Sequence, residues 1–158
     1  MSATADAWAP ELREIAPADR PARLAEFYES GLPGLIGIEV VSVEGGAIEG
    51  RLPLRDDLMQ VAGGILHSGT VIAFADSLAG WGCLASLPDE AHAFVTGELK
   101  ANMVASTRQP DVLTGVGILV HGGRTTQVWD VTVARESDGR ALAHFRCTQH
   151  LIGEPGPR

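Results

Sequence analysis

Two clusters of side chains in this sequence have the types and spacing to act on a carbonyl group. One is His67-Ser68-Gly69, which follows the paired glycines Gly63-Gly64; the other is Asp76, eight residues beyond Ser68. Between Gly64 and Leu87 the only side chains that titrate readily are His67, Asp76 and Cys83. A carboxylate inside so apolar a run is expensive to bury unless something pairs with it or uses it. Two readings of Asp76 stand side by side. It is a nucleophile or general base that attacks a carbonyl or activates water to do so, or it is a structural carboxylate tied to backbone amides or to an arginine.

The residues around His67 suit a tight entry into a helix. Free N–H groups at a helix N-terminus, with the dipole behind them, make a ready oxyanion hole, and the Ser68 N–H is the natural donor if the helix starts at His67. His67 itself either contacts a substrate oxygen or holds the loop together. Eight helical residues rise about 12 Å. One helix therefore cannot polarise a carbonyl at Ser68 and attack the same carbon from Asp76. If both act, the N-terminus of one copy must meet Asp76 of another, which two antiparallel helices on a two-fold axis achieve. The expected assembly is a homodimer or a dimer of dimers.

Other polar candidates flank this stretch. Gln60 precedes the glycine turn and either bonds the substrate or carboxylate or is simply solvated. Thr96 either hydrogen-bonds Asp76 or a water, or is an ordinary strand residue. Gly69 belongs to the expected substrate loop. Arg108, and Gly123-Arg124 within His121-Gly122-Gly123-Arg124, are candidates for a substrate phosphate, the alternative being surface arginines. His92, His144 and His150 lack ligand spacing with carboxylates, so no metal site is expected, and no cofactor. The glycine turn lacks the Lys-Ser/Thr ending of a phosphate loop, and no Gly-x-Ser-x-Gly elbow is present. Cys83 reads as a small core residue, since no base is paired with it.

The chain around these residues reads as one domain. Its 158 residues are 45% hydrophobic, enough for a core. With 12 basic and 20 acidic side chains the formal charge is −8, which argues against nucleic acid and anionic membrane as partners. Cys83 and Cys147 stand far apart without CxxC spacing, and two free thiols suit a reducing cytosol. With no basic region followed by an apolar block near Met1, the expected location is cytoplasmic. The segment Ile65 to Leu87 has the length of a membrane span, but His67, Asp76 and its Gly and Ser residues mark it as a buried core helix.

Residues 1–19 read as an arm, either poorly ordered or a loose helix, and residues 20–153 as the folded domain. Leu24, Phe27 and Tyr28 predict a short amphipathic helix from about Pro21 to Ser30, stopped by Gly31 and Pro33. Strands are predicted at Ile36–Val43 and Ala47–Leu54, joined at Gly45-Gly46, and after the long helix at His92–Val104, Val112–Val120, Thr125–Ala134 and Ala141–Leu151. In the last, Ala143, Phe145 and Cys147 alternate with His144, Arg146, Thr148 and His150. Hairpin-linked strands with one embedded helix indicate an α+β fold: an antiparallel sheet wrapped around a long central helix, the hotdog layout.

With those residues in view, the chain from about Ile36 to Leu151 resembles the hotdog-fold acyl-CoA thioesterases of the phenylacetate-pathway and aromatic acyl-CoA branches. The carriers are His67-Ser68-Gly69 followed by Asp76, Glu98-Leu99-Lys100-Ala101-Asn102, Val120-His121-Gly122-Gly123-Arg124 and Gln127-Val128-Trp129. The resemblance implies hydrolysis of an acyl-CoA, aryl or medium-chain, to free acid and CoA, with Asp76 as nucleophile or base and the Ser68 N–H polarising the thioester. It implies that His67 and a Gln or Asn before the glycine turn support the substrate carbonyl or leaving thiolate, and that Thr96 orients water. The family's polar residue lies six positions before the histidine. Here Val61 stands there, and Gln60 lies seven before, with Val61-Ala62-Gly63-Gly64 holding the extra residue. The other expectations are a non-catalytic acyl-CoA-binding hotdog protein and a hotdog enoyl-CoA hydratase or dehydratase, which would need an Asp and a His in one motif.

Overall fold

Strands that alternate apolar and polar residues give a single antiparallel sheet one apolar face, which can be buried only against another element. The computed structural model describes residues 11, 12, 14–29, 31–60 and 63–153. Its strands are β1 (Glu39–Glu44), β2 (Ala47–Pro53), β3 (Ala91–Met103), β4 (Val112–Gly122), β5 (Thr126–Arg135) and β6 (Ala141–Gly153), in the order β1-β2-β4-β5-β6-β3. The helices are α1 (Arg20–Tyr28), α2 (Leu32–Ile36) and α3 (Ser68–Ala85). The helix α3 lies across the apolar face of the sheet. Phe74, Leu78 and Cys83 from the helix are buried with Ile48, Leu113, Trp129, Val131 and Phe145 from the strands. Each large apolar side chain so buried stabilises by roughly 1.5–3 kcal/mol.

Small residues let the sheet and α3 approach closely, one from each side. A Cβ on Gly115 of β4 would stand 2.4 Å from Leu78, and one on Gly82 of α3 would stand 2.6 Å from the Trp129 ring. Trp129 is fully buried, and its indole N–H donates to Gln127 Oε1 at 2.8 Å, so the ring is not free to move. Gly82→Ala would gain about 0.8–1 kcal/mol of helix propensity against an overpacking cost of about 1–3 kcal/mol. The expected result is a net loss of about 1 kcal/mol in urea denaturation; a gain would show that the Trp129 ring yields.

Pro33 does more than stop a helix. The predicted strand from Ile36 instead begins at Glu39, because Leu32–Ile36 form α2. Proline in a first turn lacks an N–H that would be unsatisfied there anyway, so it opens a helix well. Gly37, at φ 84°, ends it. Arg55 then donates to the carbonyls of Leu35 and Ile36. Residues 1–10 of the expected arm lie outside the described residues; of the remainder, Leu12 is buried in the core and Glu11 pairs with Arg23.

The helix α3 spans 18 residues and no described helix is long and apolar enough to cross a membrane. On the far side of the sheet, β3 has β6 as its one neighbour and leaves its other edge open. That edge strand exposes Val95, Leu99 and Met103.

Candidate active site

The start of α3 is built by its neighbours. The His67 N–H donates to the Leu58 carbonyl, the Leu66 N–H to that of Thr107, and the Thr70 hydroxyl to that of Leu58 at 2.9 Å. Gly63 and Gly64 turn the chain into the helix at φ 83° and 57°, left-handed values that glycine alone adopts readily. His67 is the N-cap: its Nδ1 accepts the Gly69 N–H at 2.9 Å. The neutral ring must then carry its proton on Nε2, which remains a donor.

This cap decides which N–H is left over. The Gly69 N–H goes to the imidazole and the Thr70 N–H to the His67 carbonyl at 3.0 Å. Among the described residues the Ser68 N–H has no acceptor, and Ser68 is exposed. An unfilled donor at the positive end of a helix fits a developing oxyanion. Gly69 contributes space rather than a donor, since a Cβ there would press the His67 ring at 2.8 Å.

Gln60 and Arg108 lie at the same end of the helix. The Gln60 N–H donates to the Ile65 carbonyl at 2.7 Å, and Met59 bridges Leu66. Gln60 therefore lies beside the segment that leads into the helix start. Val61 and Ala62 lie outside the described residues. Gln60, Gly64 and Arg108 line a cavity of about 550 Å³. The Arg108 guanidinium donates to the Gly63 carbonyl and also lines a second cavity of about 490 Å³ with Ser106, Thr107 and Arg135.

Asp76 lies two helical turns away. It is half-buried, yet its Oδ1 is buried without a hydrogen-bond partner among the described residues. Burial pushes the carboxyl above the ordinary carboxylate range, and the Thr96 hydroxyl beside it pulls the other way. The same hydroxyl lies within hydrogen-bond distance of Gln149 Oε1, at 2.9 Å. Behind the carboxylate lie Cys147 and then Cys83, both buried and free. Burial and the Asp76 charge push the Cys147 thiol up to about 12, and burial with the neighbouring Cys147 raises Cys83 as well.

The β4–β5 turn that carries Gly123 and Arg124 closes at the register level of Gln127, Gln149 and Thr96. Gly123 is half-buried, with its N–H on the Thr126 carbonyl at 2.9 Å, and Arg124 is exposed. The candidate residues thus fall into two groups in one chain. Gln60, His67, Ser68, Gly69 and Arg108 gather at the N-terminus of α3, and Asp76 and Thr96 face each other further along. Gln149 was not among the sequence candidates. Its parity with Ala143, Phe145 and Cys147, a polar residue on the inward face of β6, was the signal available. Among the described residues no cluster of His, Cys, Asp and Glu could hold a metal ion.

A long helix held by a six-stranded antiparallel sheet, with one carboxylate midway along it, places the chain in the hotdog class. Residues 63–142 match the model of the Thioesterase superfamily. The 1,4-dihydroxy-2-naphthoyl-CoA hydrolase of Listeria monocytogenes is 37% identical over 120 residues, covering 75% of this chain and 93% of that one. The protein belongs to the thioesterase superfamily. Its fold is similar to that of the E. coli PaaI protein from the phenylacetic acid degradation operon, with TM-score 0.75 and 20% identity over 87% of this chain and 97% of that one. It is also similar to a Streptococcus mutans protein bound to acetyl CoA, with TM-score 0.67 and 26% identity over 74% and 90%.

Proposed function

We propose that the protein hydrolyses an aryl- or medium-chain acyl-CoA to the free acid and CoA, with Asp76 as general base and without a cofactor. The observation that carries this is the buried Oδ1 of Asp76, without a hydrogen-bond partner among the described residues, on a mostly apolar helix. A carboxylate whose pKa is raised, with an open lone pair, is suited to take a proton from water. The water oxygen bonds to the thioester carbon, and the carbonyl electrons move onto oxygen, where the Ser68 N–H receives them. Collapse of this intermediate breaks the C–S bond, and the proton held by Asp76 passes to the leaving thiolate. In this reading Arg108 and Arg124 meet phosphates of the nucleotide. A thiol-trapping assay on a panel of aryl- and alkyl-CoAs tests the reading; binding without thiol release would sink it.

The rise along α3 requires the Ser68 N–H and Asp76 of one site to come from different copies, so the working unit is a homodimer or a dimer of dimers. The open edge of β3, with Val95, Leu99 and Met103 exposed, supports a second copy there. An active monomer in sedimentation at assay concentration would overturn this. The two buried thiols fit a reducing compartment, and we place the enzyme in the cytoplasm, with residues 20–153 as its catalytic domain.

The pH dependence has a definite sign. Activity needs the ionised carboxylate, and burial raises the pKa of Asp76 from 3.8. The acid limb of kcat should therefore lie above that ordinary value, with activity lost as pH falls through the raised pKa. A pH–rate profile with its acid limb at or below the ordinary value would count against Asp76 as the base.

A further inference from the structure

The face of α3 that the sheet leaves partly open is short, and it has an end. Ile72, Ala73, Asp76 and Ser77 are half-buried, whereas Gly80, Trp81 and Leu84, which continue the same face, are buried. Spacings of three and four residues put all of them in one row along the helix. Two aromatic rings close the row one turn beyond Asp76. Phe94 of β3 stands over Gly80, so near that a Cβ on that glycine would lie 3.1 Å from the ring. Tyr28 of α1 packs against Trp81 with ring centroids 5.2 Å apart. The Ser77 hydroxyl donates back to the Ala73 carbonyl at 2.7 Å, so its proton is taken up within the helix. Past the carboxylate the row is therefore narrow in extent and apolar at its end.

The position of Phe94 follows from the way β3 meets α3. Phe94 and Thr96 stand two residues apart on one strand and share a face. Phe94 packs against the core there, and Thr96 is the register partner of the buried Gln149. Thr96 lies beside the Asp76 carboxylate, and Phe94 lies beside Gly80, four residues further along α3. Strand and helix run in opposite senses here, and their steps match: about 6–7 Å for two strand residues, about 6 Å for four helical ones. Asp76 and Phe94 are thus the two ends of one short space. It cannot extend the other way. In the composite site, the row from Ala73 back to Ser68 leads into the second site of the pair, to which this chain contributes Ser68.

We propose that Phe94 is a specificity-determining residue: seated on Gly80, it forms the end wall of the acyl pocket and confines the acyl group to a single aromatic ring or a chain of similar length. This rests on the reading of Asp76 as the base for thioester hydrolysis, which puts the carbonyl carbon beside that carboxylate. A rise of about 6 Å from Asp76 to Gly80 accommodates a benzoyl ring, whereas a decanoyl chain would have to displace the wall. The chemistry of the wall points the same way. An aromatic ring offers a planar aryl group an oriented contact that an alkyl chain does not use. A flexible chain must in addition give up its rotational freedom to enter. Glycine at position 80 is what lets the Phe94 ring stand there, since a side chain would meet it.

The test is kcat/KM for acetyl-CoA, benzoyl-CoA and decanoyl-CoA with wild type, Phe94→Ala and Gly80→Ala, read as thiol release. Wild type should prefer benzoyl-CoA to decanoyl-CoA by about tenfold or more. Phe94→Ala should lower benzoyl-CoA turnover by about tenfold and raise that of decanoyl-CoA several-fold, inverting the preference. Gly80→Ala adds a methyl group at the end of the pocket and should lower benzoyl-CoA by about tenfold and acetyl-CoA far less. A merely structural role would lower all three substrates together. Equal losses on all three in both variants would therefore overturn the proposal, as would a wild type that hydrolyses decanoyl-CoA as fast as benzoyl-CoA. Alanine is the better helix former, so Gly80→Ala decides the matter even if Phe94→Ala does not fold. Wild type that releases thiol from none of the three would instead sink the hydrolase reading, and the wall with it.

Discussion

Asp76→Asn should lower kcat by about 10³-fold or more while leaving KM within a few-fold of the parent. The amide keeps the shape of the side chain and its place on α3, but it cannot accept a proton from water. General-base assistance alone is worth typically 10²–10⁴, and a thioester carbonyl polarised at Ser68 would retain only the remainder. The same substitution should raise thermal stability at neutral pH. The folded-state pKa of Asp76 lies above its unfolded value because burial disfavours the charge. The ionised carboxylate therefore opposes folding at pH above that raised pKa. The penalty fades as pH falls through it, until both states are protonated below the unfolded value. Melting curves at pH 7.5 and pH 4 should show asparagine more stable at the first and near parity at the second. Undiminished turnover by the purified variant would end the assignment of Asp76 to the chemistry.

Ser68→Pro is the cleanest removal of the proposed oxyanion donor. Ser68 is the first residue of α3, where proline is well tolerated, and it deletes an N–H at the helix start that has no acceptor among the described residues. Proline also requires an extended residue before it, and His67 already lies at φ −72°, ψ 130°. The helix should persist with its His67 cap while kcat falls by about 10²–10³. Mixing then tests the composite site. A heterodimer of Ser68→Pro and Asp76→Asn chains holds one site with both defects and one with neither. Random assortment of equal amounts should restore about one quarter of wild-type activity, following the two-fold geometry. Sites built within single chains would give no restoration at all.

Much of this arrangement can be read from the residues themselves. The strict alternation in β6 and the valine-rich runs of β4 and β5 set the sheet. The length and small-residue content of the 65–87 segment identify the helix it holds. The helical rise between Ser68 and Asp76 already demands a second copy if both act on one carbonyl. What escaped was hydrogen-bond bookkeeping. Nothing local says that the His67 ring takes the Gly69 N–H and so singles out Ser68. Gln149 sits at an inward position, but its partner Thr96 is 53 residues away in sequence and meets it only through strand pairing. The start of β1 was misplaced because Pro33 opens a turn of helix as readily as it closes one.

The two sulfurs behind Asp76 bear on how turnover is followed. The thiolate is what attacks a thiol reagent, and neither Cys83 nor Cys147 is ionised or reachable in the folded chain. A colorimetric disulfide reagent should therefore count each CoA released with no contribution from the enzyme, provided the enzyme stays folded. Once the core opens, two further equivalents per chain should react. One cuvette would then report both catalysis and the onset of unfolding.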